Sequence, residues 1–389
     1  MNKRLLLVLL GAAHSLNHSL FLILPPLLNT IAKELGASLE IIGFLVTVSG
    51  LIYGAGALIG GPWSDRLGEV KVIRTSLALS GASTLMFIVA RDVITFSVGL
   101  LLMGVGASLY HPTANNLISK VFQAKTAEAM GLHGVGGNVG FMFTPSIAVV
   151  LGLAFGWRVS YVFFGLLSLL VSFLFLLTPY QTARNKSVEN RIFHVFKIPG
   201  LWILIVFGVV IGLYSQGIGL FFPTFLSQRR GFSVELAAHA ATFILVLGTI
   251  GQWLGGRAAD LIGCAKIIVA LSVSVLAGLL LLLFVPNPLM GVFLFILLYG
   301  VASYGQQPPL TVLAGLIAPE EERGAAYGVF FFFTFGLGSV STTLAGYYAE
   351  RYSLDAAFHA MALISLVALL LSFLIPARIR HPNKGSPNY

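Results

Sequence analysis

Twelve long apolar runs constrain this chain more than any other feature of its 389 residues. They read Leu5–Ile31, Leu39–Gly60, Val72–Ala90, Phe96–Ile118, Ala129–Ala154, Val159–Thr178, Leu201–Leu226, Ala237–Gly255, Ile267–Val285, Leu289–Ile317, Ala325–Ala349 and Ala356–Ile375. A bilayer-spanning α-helix needs about 20 apolar residues, a length supplied here twelve times over. Spanning strands would be ~10 residues long with alternating polarity, a pattern these runs lack. Only 10% of the residues are charged, too few to cover the surface of a soluble protein of this size. The pattern predicts an all-α polytopic membrane protein with twelve transmembrane helices embedded in a lipid bilayer.

The net charge of +9 does not indicate nucleic acid, because the charges flank the apolar runs instead of forming a basic patch. Cys264 is the only cysteine, which excludes an intrachain disulfide and a cysteine metal cluster. With the N-terminus in the cytoplasm, 17 of the 23 Lys and Arg residues fall on that side. This bias predicts both termini cytoplasmic in a plasma (cytoplasmic or inner) membrane. Lys3-Arg4, Leu5–Leu10 and Gly11-Ala12-Ala13 together have the pattern of a signal peptide. Cleavage there would break the duplication described next, so the first run is read as an uncleaved helix.

Gly61, Asp65, Gly68 and Lys71 after the second run recur as Gly256, Asp260, Gly263 and Lys266 after the eighth, all offset by 195 residues. The first outer loop, Gly36-x-Ser38-x-Glu40, recurs as Gly231-x-Ser233-x-Glu235 at the same offset, and Pro26 falls opposite Pro223. The economical organisation is two six-helix pseudo-repeats: an N-terminal bundle over 1–178, a cytoplasmic linker over 179–199, and a C-terminal bundle with a short cytoplasmic tail over 200–389.

The stretch Gly61-Pro62-Trp63-Ser64-Asp65-Arg66-Leu67-Gly68 resembles the loop 2–3 signature of the major facilitator superfamily, whose second half carries an echo of it. The resemblance implies two six-helix bundles around a central cavity that opens alternately to each side. Glu69 and Val70 stand where basic residues are common in that family. Asp65 and Asp260 are expected to accept backbone N–H groups at a helix N-terminus, with Arg66 or Lys71 pairing across a gate. The gating set is then Gly61, Asp65, Arg66, Gly68, Lys71, Gly256, Asp260, Gly263 and Lys266; the plainer alternative is a tight turn with topogenic charges.

Tyr110-His111-Pro112, Gly131-Leu132-His133-Gly134-Val135-Gly136-Gly137-Asn138 and Gly156-Trp157-Arg158 resemble the fosmidomycin-resistance branch of that superfamily, which implies proton-coupled drug export. Many proton-driven exporters of the superfamily carry an arginine where this chain has Leu100, and a glycine before the fifth-span proline where it has Thr144.

The polar groups inside the runs narrow the chemistry. All 14 Asp and Glu residues fall in loops or at helix ends, which predicts no buried carboxylate, and no Lys or Arg sits mid-run. His14, His18, His111 and His133 do, all in the first half. Ionisable groups at membrane depth are costly and mark pathways. His14 and His18 are four residues apart and share a helix face, with Asn17 beside them; His111 and Asn115 repeat that spacing. The resemblance places spans one and four on the cavity, so these faces are expected to converge. His133 and Asn138 have the alternative of bonding a neighbouring helix. Gly134, Gly136, Gly137 and Gly140 read as close helix packing and not as a nucleotide loop. One or two of Phe330 to Phe333 are candidates for an apolar substrate contact.

The second half offers neutral groups: Tyr214, Gln216, Tyr304, Gln306 and Gln307. Gln307-Pro308-Pro309 sits where His111-Pro112 sits in the first half, and its prolines predict a broken tenth span. Gln307 is expected to face inward, three residues from Tyr304.

These readings converge on a secondary active transporter of a small organic solute, proton-coupled and exporting, monomeric and without cofactor or resident metal. The alternatives are uptake of a weak-acid metabolite, divalent-metal transport through the His14/His18 pair, and a membrane receptor or sensor. No Walker loop, paired carboxylates or Ser-His-Asp set supports ATP drive or enzyme chemistry.

Overall fold

A computed structural model describes residues 3–122, 126–178, 180, 195–318 and 323–375, with backbone only at 57, 61, 62, 65, 119, 126–128, 199 and 323–325. The first half comprises α1 (Lys3–Leu22), α2 (Leu24–Leu35), α3 (Leu39–Leu67), α4 (Glu69–Thr84), α5 (Val93–Ser108), α6 (Tyr110–Phe122), α7 (Thr126–Phe155) and α8 (Trp157–Leu174). The second comprises α9 (Pro199–Arg229), α10 (Val234–Ile262), α11 (Cys264–Phe284), α12 (Pro288–Gly305), α13 (Gln307–Ile317), α14 (Arg323–Phe331), α15 (Val340–Arg351) and α16 (Leu354–Ser372). The linker expected at 179–199 lies largely outside the described residues.

Among the described residues, eleven of the twelve expected spans are long and apolar enough to cross a membrane. The third falls short because α4 has sixteen residues and continues as a four-residue 3-10 turn, Leu85–Ile88. Ser80, Ser83 and Thr84 hydroxyls bond carbonyls three or four residues back, at 2.7–2.8 Å. Such back-bonding competes with helix propagation.

Prolines explain the other interruptions. Ile23 separates α1 from α2 just before Pro25-Pro26, and Leu109 separates α5 from α6 before Pro112. The predicted break in span ten is present: α12 ends at Gly305 and α13 begins at Gln307, one residue before Pro308-Pro309. Each ring removes an N–H that would have bonded four residues back. Span eleven passes through a π-helical turn, Phe332–Gly336, and a 3-10 turn, Leu337–Ser339, between α14 and α15.

The repeat is visible in the backbone. Gly36 and Gly231 have φ of 61° and 75°, and Gly68 and Gly263 have φ of 89° and 96°, a region that costs a residue with a Cβ. Ser38 and Ser233 each cap the following helix by accepting from a backbone N–H at 3.2 Å.

The halves join at the end away from the termini. There α3 meets α15: Thr47 Oγ1 donates to the Ser339 carbonyl at 2.7 Å, and Thr342 Oγ1 donates to the Gly43 carbonyl at 2.8 Å. A Cβ on Gly43 would collide with the Thr342 carbonyl, and one on Gly346 with the Leu39 carbonyl. Ser146 on α7 bonds His239 and Thr242 on α10 at 2.8 Å. Gln228 on α9 donates to Asn29 on α2 at 2.9 Å.

One expectation is corrected here. Glu69 is a buried carboxylate, 1% exposed. It opens α4 under α6, where Lys120 Nζ pairs with it at 2.5 Å and Asn116 donates to it at 2.9 Å. Its position at a helix start was legible, but not the lysine that packs over it. The helix N-terminus adds favourable partial charge.

Candidate functional site

Four histidines from three helices meet in the first half. His14 and His18 stand one turn apart on α1. Glycines of α7 let that helix lie against α1: a Cβ on Gly136 would strike Gly11, and one on Gly140 would strike the Ser15 backbone. Gly137 leaves room for the His14 ring. Gly136, Gly137 and Gly140 therefore form a packing face, as their apolar setting indicates, whereas a Cβ on Gly134 would meet open space. The break at Leu109 brings His111 of α6 alongside. Ring centroids lie 4.8 Å apart for His14–His18 and His14–His111, 5.1 Å for His18–His111, and 4.2 Å for the stacked His14–His133 pair.

The hydrogen-bond roles follow from what each partner can do. His14 Nδ1 lies 2.9 Å from the His133 carbonyl, which only accepts, so Nδ1 carries hydrogen. In neutral His14, Nε2 is then a lone pair and accepts from His18 Nε2–H at 2.9 Å. One proton lies between the two Nε2 atoms. Tyr110 donates to the Leu10 carbonyl at 2.6 Å, so its oxygen accepts from His133 Nε2–H at 3.0 Å. His111 Nε2 is buried and has no partner among the described residues. Asn17 donates to the Ala107 carbonyl at 2.9 Å and accepts from the Tyr53 hydroxyl at 3.1 Å, tying α1 to α5 and α3.

Aromatic rings close the cluster toward the other half. Phe141 lies 4.2 Å from the His18 ring and 6.2 Å from Tyr304. Phe331 lies 5.9 Å from His111 and 6.0 Å from Tyr53. Tyr53, Tyr110 and Phe141 are absent from the sequence-derived set; Phe331 alone was foreshadowed, by the four-phenylalanine run.

The second half places its neutral groups separately. Gln306 turns into the core of its own bundle: fully buried, it accepts from Tyr214 at 3.0 Å and donates to Ser272 at 3.1 Å. Gln307 is exposed and accepts from Gln252 at 2.9 Å, and Gln252 accepts from Asn138 of α7 at 3.4 Å. Gln216 donates to the Phe335 carbonyl at 2.7 Å, stabilising the π turn. Asn115 is exposed and Tyr304 is half-buried. Of the gating set, Arg66, Lys71, Asp260 and Lys266 are exposed, and Gly68 and Gly263 form matching turns. Gly256 is half-buried, with Pro308 beside it. The surroundings of Gly61 and the Asp65 side chain lie outside the described residues.

Two six-span bundles, duplicated in sequence and joined at one end over a polar cluster at membrane depth, define a multi-pass membrane carrier. The sequence profile of the Major Facilitator Superfamily matches residues 7–343, and the chain belongs to that family. It is similar to the MFS-type transporter YfnC of Bacillus subtilis (strain 168), 22% identical over 96% of this chain and 93% of the relative. It is equally similar to the fosmidomycin resistance protein of Escherichia coli (strain K12), 22% identical over 94% and 92%. Among solved structures, the nucleoside transporter NupG aligns with a TM-score of 0.82 at 16% identity, covering 95% of this chain and 99% of that one. A bacterial homologue of the human lysosomal transporter Spinster, inward-facing and occupied, aligns at 0.80 and 16% identity over 99% of both. The protein is a secondary transporter and not an enzyme.

Proposed function

We propose that this transporter exports a small organic solute across the plasma membrane in exchange for protons, as a monomer with both termini in the cytoplasm. The observation that carries this reading is the 2.9 Å contact between His14 Nε2 and His18 Nε2, beside His111, in spans whose interior has no Asp, Glu, Lys or Arg. Histidine is then the interior side chain whose unperturbed charge change lies nearest physiological pH. The likeness to a fosmidomycin resistance protein supports export of an organic molecule. In this reading the seal between α3 and α15 is the outer gate, here closed.

In this mechanism the outward-open form loads the His14/His18 pair from the acidic side. Closure then presents the proton to the cytoplasmic side, and the solute takes its place. His111 either receives the proton or bonds the solute. Tyr304 and Gln307 bound the solute from the second half, with Asn138 and Asn115 at its margin and Tyr214 and Gln216 holding the supporting helices. Asp65, Asp260 and their basic neighbours set the balance between the two forms. The test is solute flux in proteoliposomes with and without an imposed pH gradient, after a screen for solutes that raise thermal stability. Flux indifferent to the gradient removes the proton-coupled reading.

A further inference from the structure

We infer that His14, His18 and His111 form a binding site for a divalent transition-metal ion of the zinc type. The candidate ligand atoms of these three side chains all lie within 4.8 Å of one another. His14 and His18 Nε2 are 2.9 Å apart, whereas two nitrogens across a tetrahedral ion with bonds of ~2.0–2.1 Å are separated by about 3.3 Å. A shift of a few tenths of an ångström accommodates the ion between them.

The second observation is His111 Nε2, buried and without a hydrogen-bond partner. A buried polar nitrogen left unpaired costs stability unless something binds it. Rotation of that ring toward α1 supplies the third bond. The outer shell is already built. His14 Nδ1–H donates to the His133 carbonyl at 2.9 Å, the arrangement that fixes the tautomer of a metal-ligating histidine. His133 itself is excluded as a ligand through Nε2, which donates to Tyr110.

Three imidazoles and no carboxylate select zinc, copper, nickel or cobalt over magnesium and calcium. The fourth position is open, and with no protein charge to neutralise the ion it favours an anion: hydroxide or the carboxylate of a solute. Metal and bridging proton exclude one another, because the ion needs the lone pair of both Nε2 atoms. The inference concerns binding alone and stands whether or not proton coupling does.

The test uses full-length, tag-free protein in detergent, titrated with Zn2+, Co2+ or Mg2+. Zn2+ is expected to bind one to one and raise the apparent Tm, and Mg2+ to leave it unchanged. Co2+ is expected to give the intense visible absorption of a four-coordinate site. His111→Gln and His18→Gln should each weaken Zn2+ binding about tenfold or more while keeping the metal-free Tm within a few degrees. His239→Gln, at the seam between halves, should leave binding unchanged. Absence of Zn2+ binding overturns the inference. So does binding that survives in the His14, His18 and His111 triple Gln variant, or that is lost in His239→Gln.

Discussion

The two halves share a backbone and differ in chemistry at the same depth. Where the fourth span breaks, the chain continues as His111-Pro112; where the tenth breaks, it continues as Gln307-Pro308. The first half fills its interior with imidazoles in mutual contact. The second fills the matching region with the Tyr214 hydroxyl, the Gln306 amide and the Ser272 hydroxyl, bonded in series. A second contrast lies at the start of the third and ninth spans. Glu69, buried and paired with Lys120, has Cys264 as its counterpart 195 residues on. Turns and caps are held in common because the backbone demands them: positive φ at Gly68 and Gly263, serine caps at Ser38 and Ser233. Interior side chains are free of that demand. In the proposed mechanism one half changes its proton occupancy and the other keeps a constant hydrogen-bond surface.

The largest effect should come from removing the titratable groups of the first half. His18→Gln or His111→Gln is expected to abolish accumulation driven by a pH gradient, with insertion and folding intact, while Gln307→Ala retains coupling. Glutamine keeps hydrogen-bonding capacity but does not titrate, which separates coupling from packing. The readout is solute accumulation in proteoliposomes. A His14, His18 and His111 triple Gln variant that still concentrates solute using protons would erase the functional difference between the halves.

At the seam the halves behave alike, and this can be tested separately. Gly43 abuts the Thr342 carbonyl and Gly346 the Leu39 carbonyl, one glycine from each half. Valine at either position overpacks the seam at a cost of about 1–3 kcal/mol. That should move the equilibrium between closed and open forms roughly ten- to hundredfold toward opening at this end. Spin labels at Ala37 and Arg351 would report a longer distance in both variants. A shift in one variant only would show that the seam is not symmetric.

Next in size is the Glu69/Cys264 contrast. Glu69→Gln keeps the shape and the bond to Asn116 but removes the charge facing Lys120. With Lys120 still 30% exposed, solvent screening reduces the penalty to about 2 kcal/mol, read as a lower apparent Tm. Cys264→Ser should change the Tm by much less. Equal losses would mean the buried ion pair adds nothing to the first half.

The duplication, the span count and the proline break in span ten were legible because they rest on periodicity, offset and the missing proline N–H, all local properties; the breaks at Ile23 and Leu109 were not anticipated. His14 and His18 were legible as a pair because i and i+4 share a helix face. The contact of His14 with His133 and the closing of Tyr53 and Phe331 over His111 were not. They depend on how α3, α7 and α14 pack, information that no single span contains. The same limit hid Lys120 over Glu69. It also hid the bonding of Gln306 to Tyr214 and Ser272 inside the second bundle.

The smallest effect distinguishes the two interiors by their tyrosines. Tyr214 is 1% exposed and donates to Gln306 Oε1 at 3.0 Å, while the Gln306 amide donates to Ser272. Tyr214→Phe leaves that amide oxygen short of its donor inside the bundle. Buried unpaired acceptors cost about 1–3 kcal/mol in water-soluble proteins, but hydrogen bonds between membrane helices average about 0.6 kcal/mol by double-mutant cycles. A loss of about 1 kcal/mol is therefore expected, which lowers the apparent Tm of a chain this size by about 2 °C or less. Gradient-driven transport should keep its dependence on pH, because no titratable partner is touched. Tyr110→Phe is the matching change in the first half and should cost similar stability. Its hydroxyl, however, is the acceptor for His133 Nε2–H, and the His133 carbonyl fixes the tautomer of His14. Freed of Tyr110, the His133 segment holds His14 less firmly, so the pH profile of transport should move in Tyr110→Phe and stay in place in Tyr214→Phe. Identical profiles in the two variants would show that the imidazole network is packing and not a proton path.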